Sequence, residues 1–123
     1  MNSKLNAWRP ATPADRTTKG RTVDTHVTDN QERSRFEVFH DGELAGFSEY
    51  ERKEGEIAFI HTEIDPRFGG HGLGGKLARA ALDAVRGEGL AVLPYCPFIR
   101  GWIGKHPEYA DLVPAAQHER FGL

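Results

Sequence analysis

Hydrophobic and polar positions carry their clearest signal between residues 35 and 64. Arg35–His40 (RFEVFH) is rich in β-forming residues with an imperfect two-residue alternation, and Asp41-Gly42 follows it. An Asp-Gly pair between two such runs predicts a hairpin, since both residues tolerate the positive φ of a tight turn. Glu43–Arg52 (ELAGFSEYER) is the predicted return strand, Lys53-Glu54-Gly55 a second turn, and Glu56–Ile64 (EIAFIHTEI) a third strand. Together they make an antiparallel meander. Pro66 closes it, because proline cannot donate to a central ladder. A weaker first strand is read within Arg21–Asn30, carried by Val23 and Val27.

The period then changes. After a glycine-rich run, Leu73, Leu77, Ala80, Ala81, Ala84 and Val85 recur at helical spacing, and Gly87 and Gly89 end the pattern. Leu90–Leu93 is a short apolar run of the kind a buried strand makes, stopped by Pro94. A second helix is predicted from Pro97 to Lys105, broken at His106-Pro107, with a further turn over Glu108–Val113. A strand, a crossover helix and another strand favour a parallel pair. The order β-β-β-α-β-α predicts an α+β domain with a mixed sheet, an antiparallel meander followed by a β-α-β crossover.

Composition sets the bounds. Residues 1–21 hold few large apolar side chains (Leu5, Trp8), too few to offset the entropy of ordering, and read as a flexible N-terminal tail. Residues 22–113 are the expected domain and 114–123 a C-terminal tail. The net charge is +2 over residues 1–34 and −4 over the remainder, and an acidic body argues against nucleic-acid binding. A single cysteine, Cys96, excludes an intramolecular disulfide and a cysteine-based zinc site, and the scattered histidines lack ligand spacing, so no metal is expected. No run approaches the roughly 18 apolar residues of a membrane span. With no apolar leader segment either, a reducing cytoplasm and no membrane partner are expected.

Five glycines fall between Gly69 and Gly75, between a strand end and a helix start. A helix N-terminus offers unpaired N–H groups and partial positive charge, and glycine lets a pyrophosphate approach that backbone. Arg67 and Lys76 add positive charge nearby. The competing reading is an ordinary flexible turn before a helix. The run is neither a Walker A loop nor a Rossmann fingerprint, because it lacks the following Ser/Thr and any preceding βαβ unit.

Arg67-x-x-Gly70-x-Gly72 matches the R/Q-x-x-G-x-G/A signature of the GNAT (general N-acetyltransferase) superfamily. The wider string resembles the small Yjdj-type N-acetyltransferase domains over about residues 22–113: His61-Thr62-Glu63-Ile64, the glycine run, Leu90 through Phe98, and His106-Pro107-Glu108-Tyr109. The resemblance implies acetyl-CoA (CoA) as cofactor, with its pyrophosphate on the backbone amides of Phe68, Gly69, Gly70, His71, Gly72, Leu73 and Gly74. It implies a pantetheine cleft where Glu56–Ile64 and Leu90–Leu93 splay apart, with Ile64, Arg67, Cys96 and Phe98 as further contacts. The implied activity is transfer of an acetyl group to a primary amine on a small molecule or peptide, by a monomer or weak homodimer. The alternative is a non-catalytic CoA or acyl-CoA-binding module that serves as a sensor or interaction domain.

Acetyl transfer to an amine calls for a base and for donors to the thioester oxygen. Strand alternation groups Ile57, Phe59, His61 and Glu63 on one face of Glu56–Ile64. His61 and Glu63 are therefore a candidate base and its orienting carboxylate, against a reading in which His61 fixes the loop and Glu63 is solvated. Cys96 is a candidate acyl-accepting nucleophile, against a reading in which it is a small buried hydrophobe beside the pantetheine. Many superfamily members carry a tyrosine general acid where this chain has Gly101-Trp102-Ile103, which leaves that role unassigned. Glu49, Glu51, Glu54 and Glu56 cluster around the second turn and suit a cationic acceptor, or simply make a solvated face.

Overall fold

A computed structural model describes residues 24–123. The tail expected over 1–21 and the Val23 end of the first strand lie outside the described residues. Strands β1 (Thr25–Asn30), β2 (Arg35–His40), β3 (Glu43–Lys53) and β4 (Glu56–Ile64) run antiparallel in sequence order. Asp41 and Gly42 take φ of +54° and +85° at the β2–β3 turn, as the Asp-Gly pair predicts. Helix α1 (Leu73–Gly87) then crosses over, and β5 (Ala91–Pro94) joins β4 in parallel, from Glu56 opposite Ala91 to Phe59 opposite Pro94. Helix α2 (Pro97–Lys105) follows directly. The architecture is α+β with a mixed five-stranded sheet in the order β1-β2-β3-β4-β5.

One continuous core joins Phe36, Val38, Tyr50, Ile57 and Phe59 from the sheet to Leu77, Leu82, Ile99 and Ile103 from the two helices. The buried stripe of α1 includes Ala78 and Leu82 instead of the expected Ala80 and Ala84. Leu82 has much more apolar surface to remove from water than an alanine, so it sets the rotation of the helix. The opposite face of the sheet carries Phe47, Glu49, His61 and Glu63, all half-buried or exposed.

The expectation of a C-terminal tail over 114–123 is corrected. A turn at Ala115–Gln117 leads into the short α3 (His118–Phe121), and Phe121, 6% exposed, packs edge-on against Tyr95. His118 Nε2 lies 2.7 Å from the Val113 carbonyl oxygen. One large aromatic ring among small and polar neighbours is enough to hold the segment down, and average composition hides it.

Candidate functional site

The site gathers where β4 and β5 part. Proline ends β5, since it offers no N–H to extend the ladder. One more bond, Cys96 N–H to the Phe59 carbonyl at 2.8 Å, closes the fork. Beyond it Ile60–Ile64 keep only β3 as a strand neighbour among the described residues, leaving one edge of β4 open.

At that fork β4 also changes face. Tyr50 pairs with Phe59 and Glu49 with His61, so Ile60 is an extra residue, a β-bulge. The bulge breaks the predicted alternation. Ile57 and Phe59 are in the core, whereas His61 and Glu63 emerge on the open sheet face and Thr62 and Ile64 turn inward. His61 Nε2 stands 3.6 Å from a Glu63 carboxylate oxygen, and its ring lies 6.2 Å from that of Phe47.

The glycine run starts from a fixed point. The Asp65 carboxylate accepts the Arg67 N–H at 2.9 Å and caps a single turn over Pro66–Phe68. That bond, with the Arg67 guanidinium, lowers the Asp65 pKa from the ordinary carboxylate value. The Arg67 side chain is held locally too, 3.1 Å from Asp65 and stacked over Phe68. The N–H groups of Phe68 and Gly69 donate back to Asp65 and Pro66. The predicted set of seven amides therefore narrows to Gly70–Gly74, which have no intramolecular acceptor among the described residues. Gly70 and Gly72 take φ of +89° and +68°, and a Cβ on either would meet open space. An anion can thus reach the backbone there, and only glycine holds this path without strain.

The first turns of α1 and α2 converge beside this loop. The Phe98 ring covers Gly74 so closely that a Cβ there would come within 2.8 Å, and the Trp102 indole covers Gly75. Phe98 remains 41% exposed, an aromatic surface at the mouth of the loop. Leu73 is buried in the core, so it can contribute its amide and not its side chain. His71 lies 4.6 Å from His40, ring to ring, and His40 Nδ1 lies 3.0 Å from the Thr25 hydroxyl, which ties the loop to β1 and β2.

Cys96 is the N-cap residue of α2 and is 2% exposed. Its thiol donates to Thr62 Oγ1 at 3.2 Å, and Thr62 Oγ1 lies 2.9 Å from Ser48 Oγ. The three predicted catalytic residues therefore do not form one cluster. His61 and Glu63 flank the fork on the open face, and Cys96 flanks it on the helix face.

A family model for GCN5-related N-acetyl-transferase matches residues 35–112, from the start of β2 through the turn after α2. The chain belongs to that family. No curated protein matches the chain. Family members generally use acetyl-CoA and typically act on amines. The open glycine backbone and the unpaired edge of β4 fit such a ligand, the first for its pyrophosphate and the second for an amide-bearing arm.

Of the tyrosines, Tyr109 donates to Asp83 at 2.8 Å and accepts from Arg79, and the bond to Asp83 raises its pKa. It fills the α1–α2 seam against Trp102. Tyr95 is exposed, with Arg120 stacked over its ring. Thr62 and Ser48 escaped sequence reasoning, because nothing marks a hydroxyl on a strand as the partner of a thiol 34 residues away. No helix of the described residues is long and apolar enough to cross a membrane.

Proposed function

We propose that this protein is an acetyl-CoA-dependent N-acetyltransferase acting on a primary amine in a reducing cytoplasm. The observation that carries the reading is the fork, where β4 keeps an edge without a strand partner and runs on into a loop with five amides that have no acceptor among the described residues. Bound acetyl-CoA would supply an activated thioester. The amides of Gly70–Gly74 hold its pyrophosphate, sharing the load because a helix N-terminus alone contributes only about 0.3–1 kcal/mol at an exposed site. Ile64 and Phe98 line the arm's path, and Cys96 flanks its sulfur end.

The amine comes from the open face. A hollow of about 240 Å³ lies there at the fork, walled by Ala58, Ile60, Leu93 and Tyr95, with Glu51, Glu56 and Lys53 at its rim. Apolar walls with two carboxylates against one ammonium at the rim suit a cationic amine on an aliphatic stem. His61 takes the proton that the ammonium must lose before nitrogen can attack, and Glu63, 3.6 Å from its Nε2, is the carboxylate beside the imidazole.

Calorimetric titration with acetyl-CoA tests the reading, followed by the intact mass after incubation. Saturable binding is expected, lost in Gly70→Val, where a β-branched side chain is strained at φ +89° and blocks the approach, while the circular dichroism spectrum is kept. Absence of binding to the wild-type protein overturns the assignment. A mass gain of one acetyl group on Cys96 would replace direct transfer with a covalent acyl-cysteine route, and binding without turnover on any amine would leave a CoA-binding module.

A further inference from the structure

Ser48 is an anomaly in an apolar core. It is 0% exposed on the inner face of β3, and its hydroxyl has one side-chain partner among the described residues, Thr62. Thr62 in turn accepts from the Cys96 thiol. Three residues from three elements thus make a single-file chain of one thiol and two hydroxyls. Cys96 and Ser48 are closed off at its ends, and half-buried Thr62 forms the middle link on the open stretch of β4. Glu49, His61 and Glu63, on the same two strands, lie on the opposite sheet face, and Tyr50, on the inner face of β3, gives its hydroxyl hydrogen to Asp29.

Each hydroxyl has one hydrogen to give and can accept as well. While the sulfur keeps its proton, S–H donates to Thr62, and Thr62 donates to Ser48. Once that proton leaves to the solvent buffer, two O–H rotations reverse the chain. Ser48 then donates to Thr62 and Thr62 donates to the thiolate, with no heavy atom displaced. The bond to the anion is the stronger one.

We propose that Thr62, backed by Ser48, is the positioning residue for the Cys96 sulfur, serving as acceptor to the thiol and as donor to the thiolate. The inference deepens the reading of the same fork and rests on it, and a role for the thiolate in acyl transfer belongs to the acyl-cysteine route named above. The hydrogen-bond chain itself is testable without CoA. Because the chain has one cysteine, its S–H stretching band and its alkylation both report Cys96 alone, with Cys96→Ser as the blank.

Infrared spectra and iodoacetamide alkylation at fixed pH are compared among the wild-type protein, Thr62→Val, Thr62→Ser and Ser48→Ala. Thr62→Val is expected to move the S–H band to higher frequency and slow alkylation about tenfold, the scale of losing one hydrogen bond to a charged group. Thr62→Ser should restore both, and Ser48→Ala should shift both less in the same direction. A band unmoved in Thr62→Val, or no rescue by Thr62→Ser, overturns the proposal; should the valine variant not fold, the serine and Ser48→Ala spectra decide it alone. If the band shifts in protein that fails to bind acetyl-CoA, the chain stands and the transferase reading falls. If acetyl-CoA binds and the band does not move, the reverse holds.

Discussion

Glu56–Phe59 and Ile60–Ile64 are consecutive halves of one strand, and they meet different neighbours. The first half is paired on both sides, by β3 and β5, and buries Ile57, Ala58 and Phe59. The second half is paired by β3 alone, starts with a bulged Ile60 that is 42% exposed, and ends at the glycine loop. β-propensity hardly distinguishes EIAF from IHTEI. What separates them is the partner: a proline ends β5 after four residue pairs. The first half is the anchor, and the second is a strand edge held ready by that anchor. An edge left open is ordinarily an aggregation liability, and this one runs straight into the glycine loop.

The comparison breaks most sharply at the junction. Phe59→Ala removes a ring wholly buried against Phe36 and Tyr50 and should cost roughly 3–5 kcal/mol. Ile60→Ala, one residue on, should change stability by no more than about 0.5 kcal/mol. Chemical denaturation of the two variants is the check, and similar losses would show that the halves do not differ in the way described. A smaller effect is expected from Gly46→Ala, opposite Ile64. A Cβ there would come within 2.5 Å of both the Glu63 carbonyl and Ile64 Cδ1, so the cost is that of overpacking, about 1–3 kcal/mol. Because the strain falls on the second half alone, acetyl-CoA affinity should drop along with stability. A Gly46→Ala protein with wild-type affinity would show that the position of this half relative to β3 does not matter to the ligand.

The anchored half was legible from sequence and the open half only partly so, for a physical reason. Turn chemistry at Asp41-Gly42 and the bounds of α2 at Pro97 and Lys105 are local signals, and they match the fold. The bulge at Ile60 is not local. Ile57, Phe59, His61 and Glu63 keep an unbroken two-residue period in the sequence, and only the register with Glu49 and Tyr50 shows that the period flips between Phe59 and His61. That flip put His61 and Glu63 on the face away from Cys96 and brought Thr62 to the thiol. Phe121 is a similar case, since its docking partner Tyr95 lies on a distant segment.

The smallest expected effect lies at the outer end of the open half, where Asp65 joins β4 to the glycine loop. Its folded pKa is lowered, mainly by the N–H of Arg67 and then by the guanidinium. A carboxylate so shifted holds its contacts at neutral pH and loses them as pH falls through its folded value, below the ordinary carboxylate range. Loop order should therefore weaken on the acid side, and acetyl-CoA affinity with it. Asp65→Asn keeps an oxygen for the Arg67 N–H but cannot titrate, so its affinity at neutral pH should fall only a few-fold. Titrations from neutral to acid pH check this, and the ligand phosphate, which itself titrates at about pH 6, affects both proteins alike. Below that step the wild-type curve should converge on the asparagine curve. Parallel curves at every pH would place the acid sensitivity elsewhere and reduce Asp65 to a turn residue with no hold on the loop beyond it.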